Sequence, residues 1–142
     1  MLKYFSILKT VISFIIPYII LYAIYIQLNG EASPGGGFQA GVIFATGIIA
    51  FDLINGNKKT QYFFSEKALT ICGVLGVLIY SVTGLISFLF DDNYLDYNSI
   101  AKNPLIKDQL AGQHIGIFSI EIGVGLTVAS IMCLIYLVLR ED

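Results

Sequence analysis

The chain has 142 residues, 56% of them hydrophobic and only 13% charged, with a net charge of −2 and a mean hydropathy of +0.79. A soluble domain carries about 25% charged residues, so this chain lacks the charge to cover itself in water and reads as an all-α integral membrane protein. The acidic balance and the lack of any basic cluster argue against a nucleic-acid surface, and the length allows one membrane domain, 1–142.

Four apolar segments approach the roughly 20 residues that a helix needs to cross a bilayer. They run over about 4–28, 38–54, 68–90 and 114–139. The first begins with Lys3 and Lys9 and is followed by the small residues Ala32 and Ser33, as a cleavable signal would be. Its apolar run is longer than a signal core, and Pro17 and several tyrosines interrupt it. A retained helix kinked at Pro17 is the expectation.

Between the first two spans lies Ser33-Pro34-Gly35-Gly36-Gly37-Phe38. Proline blocks extension of the preceding helix, and each glycine costs about 1 kcal/mol relative to alanine inside a helix. The apolar pattern resumes at once with Phe38, so an adaptable joint is expected here. Gly37, Gly41 and Ala45 recur every four residues, a spacing that lets helix backbones approach closely. Asp52 closes the second span. It reads either as a charge held at the water boundary or as a partner of Lys58, Lys59 or another subunit.

Asn55-Gly56-Asn57 signals a turn into a polar connector. In the third span Gly73, Gly76 and Gly84 lie roughly on one face. The connector Asp91–Gly112 opens acidic, and Pro104 rules out one continuous helix through it.

The fourth span holds the sharpest single residue, Glu121, between Ile120 and Ile122. A carboxyl there costs at least a few kcal/mol unless paired or neutral. It reads as a proton or cation relay or an interhelical ion pair; the plainer reading is a protonated carboxyl bonded to a neighbouring helix. His114 precedes it by seven residues, about 10 Å along the same face. Gly125 follows one turn later.

With four spans, one side holds Lys3, Lys9, Lys58, Lys59, Lys67 and Arg140, and the other only Lys102 and Lys107. This bias places both termini in the cytoplasm and the glycine joint outside. Cys72 and Cys133 read as buried thiols. No phosphate loop, metal-ligand cluster or nucleophilic constellation appears, and no internal repeat suggests an inverted-repeat transporter. No cofactor is expected.

Asn29-Gly30-Glu31-Ala32-Ser33-Pro34-Gly35-Gly36-Gly37-Phe38-Gln39-Ala40-Gly41 resembles the signature of the MnhB/MrpB family, a component of the multisubunit cation/proton antiporters of the Mrp or Mnh type. The run from His114 to Val128 looks like the last-helix motif of that family, acidic residue included. The resemblance implies a small subunit, in the cell membrane, of a hetero-oligomeric Na+/H+ antiporter. Other subunits would be its partners, with membrane lipid around it. By matched motif position, Pro34, Gly35, Gly36, Gly37, Phe38 and Glu121 are its candidate functional residues. Many members carry a histidine just after the glycine matched by Gly30; here Glu31 stands there. That would change a group titrating near pH 6.5 to one near about 4.3. Glu121, His114, Glu31 and Asp52 are thus the relay candidates, and Gly41 and Gly125 join the glycines as packing positions. A self-sufficient four-helix proton-coupled transporter, or a scaffold subunit of a related redox-driven ion pump, are the alternatives.

Overall fold

In the computed structural model, residues 2–30, 35–55, 64–86, 88, 93–97 and 109–141 are described. Four helices account for nearly all of them: α1 (Leu2–Leu28), α2 (Gly36–Asn55), α3 (Glu66–Ile86) and α4 (Gln109–Glu141). Each is long and apolar enough to cross a membrane. The third helix is described over Glu66–Ile86; residues 87, 89 and 90 of the expected span lie outside the described residues. The fourth starts at Gln109, which puts His114 in its second turn.

Local chemistry accounts for several of the helix ends. At the end of α1, the Asn29 backbone N–H and side-chain amide both donate to the Tyr25 carbonyl, at 3.1 and 2.9 Å. At the start of α3, Ser65 Oγ accepts from the Ala68 N–H at 3.3 Å, a serine cap with Glu66 in the first turn. Pro17 sits inside α1 and takes no donor to the Ser13 carbonyl.

The helices pack in the order α1–α2–α4–α3. Helix α4 lies between α2 and α3, and α1 flanks α2 while hardly meeting α4. On α2 the buried residues divide by period. Gly37, Gly41, Ala45, Ile48 and Asp52 form a stripe toward α4 and its neighbours, while Gly47 faces Ile19 and Ile20 of α1. A methyl group on Gly41 would stand 2.6 Å from the Gly125 carbonyl oxygen. One on Gly123 would stand 2.8 Å from the Gly76 carbonyl oxygen, so α3 and α4 also touch backbone to backbone. Such contacts matter in lipid, where van der Waals packing and interhelical hydrogen bonds replace the hydrophobic drive between helices. Thr127 Oγ1 adds one such bond, to the Gly73 carbonyl at 3.4 Å.

The outward faces carry Phe14, Leu21, Val74, Leu78 and Val138, all exposed. Buried Thr83 and Ser130 donate to the carbonyls of Ile79 and Leu126, 2.8 and 2.7 Å away, so their hydroxyls are satisfied within their own helices. Residues 93–97 fold back over the α3–α4 pair. Tyr94 fills the space that a side chain on Gly84 would need, and Tyr97 does the same at Gly116.

Candidate functional site

Glu121 sits where α1, α2 and α4 meet. Its carboxyl occupies the place of the missing side chain of Gly30: a methyl group there would overlap Oε1, Oε2 and Cδ. A methyl group on Gly36 would stand 2.9 Å from Oε1. Gly37, one residue on, touches the Glu121 backbone itself: a methyl group there would overlap the carbonyl oxygen and come within 3.1 Å of Cα. The carboxyl is thus wrapped by glycines of the α1–α2 joint, and Oε2 is shut off from solvent.

Backbone conformation explains why these positions are glycine. Gly35 has φ 129° and Gly36 φ 41°, in the region that side chains avoid. The turn they make starts α2 directly under the carboxyl. The Gln39 N–H already bonds to the Gly35 carbonyl at 3.1 Å, which leaves the N–H groups of residues 36–38 as the orphan donors of this helix end. The positive end of the α2 dipole therefore faces a carboxyl group. That arrangement offsets part of the cost of holding a charge within the apolar span.

Gln27, one turn before Gly30 on α1, packs its Oε1 against Gly125 of α4. Gly125 in turn lies one turn beyond Glu121. Two rungs therefore join α1 to α4, Gln27 on Gly125 and Gly30 on Glu121.

The other candidates stand apart. His114 is exposed, two turns from Glu121. Phe38 is 59% exposed. Glu31 and Pro34 lie outside the described residues, as do Lys58 and Lys59. Asp52 lies near the opposite end of the bundle, beside residues of α4 about 22 Å further along its axis than Glu121. It is buried among the helices, with only 2% of it exposed. Its Oδ2 accepts from Tyr136 Oη at 2.9 Å and forms an ion pair with Arg140. So α4 supplies these two partners, while the lysines considered from sequence lie outside the described residues. Among the described residues, no group of three or more His, Cys, Asp or Glu could hold a metal ion.

Sequence reasoning missed Gln27, Tyr136 and the pairing role of Arg140. Gln27 left one signal, an amide just inside the end of an apolar span. Arg140 left another, since the topology puts it on the same side as Asp52.

Four membrane-length helices, with a carboxylate enclosed where three of them meet, define a multi-pass membrane protein with an ionisable site within its helix contacts. Comparison with known proteins gives the particular family. The chain belongs to the family described as "domain related to MnhB subunit of Na+/H+ antiporter", whose model matches residues 7–134. It is 28% identical over 127 residues to the B-type subunit of a Na(+)/H(+) antiporter from Bacillus subtilis, covering 86% of this chain and 88% of that protein. It is 27% identical over 137 residues to the putative antiporter subunit mnhB2 of Staphylococcus haemolyticus, covering 94% and 92%. A further relative, the B-type subunit of a Na(+)/H(+) antiporter from Alkalihalophilus pseudofirmus, is 28% identical over 130 residues, covering 85% of each.

Proposed function

We propose that this chain is a membrane subunit of a hetero-oligomeric Na+/H+ antiporter and that Glu121 is its proton- or cation-handling carboxyl. The relatives' names support the first part. One observation carries the second: the carboxyl of Glu121 is enclosed by Gly30 and Gly36 and set at the first turn of α2. A carboxyl merely tolerated in a membrane does not require the α1–α2 joint to omit its side chains around it. Protonation removes the charge that the first turn of α2 faces, so proton binding and the fit of the α1–α2 joint are coupled.

Asp52 takes a different part. Paired with Arg140 and Tyr136, it ties the ends of α2 and α4 together rather than carrying ions. His114 and Glu31 remain secondary relay candidates on the side of the joint. By the distribution of lysines, that side is the outer face and both termini are cytoplasmic. Other antiporter subunits and lipid are the partners, and Na+ and H+ the transported ions.

The test is Glu121→Gln in the assembled complex, with antiport followed in inside-out vesicles across pH. Antiport is abolished or its pH profile shifted, while the subunits still purify together. An unchanged profile would leave the chain a scaffold whose glycines serve packing alone.

A further inference from the structure

We propose that Gln27 is a positioning residue for the Glu121 carboxyl, donating to it through one bridging water. The inference rests on the relay reading of Glu121 and names a second side chain for that site.

The geometry begins with the two rungs between α1 and α4. Gly30 lies on the carboxyl, and Gln27, one turn earlier, lies on Gly125, one turn from Glu121. The amide and the carboxyl are therefore about one helical turn apart on facing helices. No direct bond joins them among the described residues, and a separation of that order suits a single water.

The amide has a donor to spend. Gln27 Nε2 is buried and has no hydrogen-bond partner among the described residues. An amide N–H left unpaired within the apolar span carries a free-energy cost, so groups of this kind are normally paired. A carboxylate has about four acceptor positions, so Glu121 can accept from Gln27 whatever else it bonds.

There is also room. A cavity of about 250 Å³ opens between α1, α2 and α4, bordered by Ala23, Gln27, Gly41, Ile122, Gly125 and Ala129. Its walls are apolar except at Gln27, so the amide is the polar anchor for a water there, one turn from the carboxyl. Among the described residues, the titratable groups nearest it on the packed elements include His114 on α4, two turns away, and Tyr80 on α3, beside Gly123. The first turn of α2 meets the carboxyl at Gly36.

A donor to the carboxylate favours the ionised form. Removing it should move the pH dependence of antiport upward. The experiment compares wild type, Gln27→Met, Gln27→Asn and Glu121→Gln in the assembled complex. Gln27→Met keeps the length and loses the amide, so the midpoint of the pH profile should rise by about one unit, the tenfold change in proton affinity that one such bond supplies. The KM for Na+ should stay put, and Gln27→Asn, which retains an N–H, should restore most of the shift. In the Glu121→Gln background, Gln27→Met should add nothing. Infrared difference spectra of the purified complex provide a second measurement. The carboxyl C=O band lost in Glu121→Gln should move to higher frequency in Gln27→Met. A wild-type pH profile or an unmoved carboxyl band in Gln27→Met overturns the proposal for Gln27. If Glu121→Gln itself leaves the profile unchanged, the relay reading falls instead.

Discussion

Gly37 of α2 rests directly on the backbone of Glu121 in α4: the space a Gly37 side chain would fill holds the Glu121 carbonyl oxygen. A backbone cannot swing aside as a side chain can. Gly37→Ala should therefore push α2 and α4 apart, at a cost of about 1–3 kcal/mol, the range found for overpacking a tight contact. The measurement is the melting temperature and recovered yield of the purified complex, both of which should fall. Wild-type values would mean that the contact is slack.

Gly30→Ala should behave differently. The atoms in its way are the carboxyl of Glu121, the far end of a flexible side chain. Rotating that side chain costs little stability, yet it moves the ionisable group from the first turn of α2. Melting temperature should stay near wild type while antiport activity drops or its pH profile shifts. A variant that unfolds, or one that transports normally, would contradict this division between Gly30 and Gly37.

Asp52 and Arg140 make a third test. Asp52 is fully buried, and Arg140 is 30% exposed at its side chain. Arg140→Ala strands a buried carboxylate and should destabilise strongly, toward the lower end of the roughly 3–5 kcal/mol seen when one partner of a buried pair is removed. Asp52→Asn should cost less, because the amide still bonds Tyr136 and Arg140 can turn toward water. The double variant should be more stable than Arg140→Ala alone. Thermal unfolding of all three in one detergent gives the coupling.

Tyr97 supplies a pH dependence outside the membrane helices. Burial, then the neighbouring Tyr80 and Tyr94, raise its pKa above the ordinary 10.0. A raised acid holds its proton longer in the folded chain than in the unfolded one. Its contribution is thus present below about pH 10 and is lost as pH rises through the folded value. Tyrosinate absorbance should appear later for Tyr97 than for an exposed tyrosine, and wild type minus Tyr97→Phe isolates it.

Much of the architecture was legible from residue order alone. Low charge and four runs of membrane length lead to four helices, because lipid leaves the backbone few other ways to satisfy its polar groups. The four-residue recurrence of Gly37 and Gly41 likewise points to close helix contact. Glu121 stood out because a carboxyl amid isoleucines has no cheap explanation.

Which helix meets which was beyond that reading. Periodicity marks a face but names no partner, so nothing local pointed to Arg140 as a companion of Asp52. The parallel course of α2 and α4 decided it, bringing residues 88 apart in sequence into an ion pair. The same packing joined the two motifs. In sequence the glycine run was a hinge and Glu121 a distant acid. In the folded chain the glycines are the walls around that acid, since only residues without side chains leave room for its carboxyl between α1 and α2.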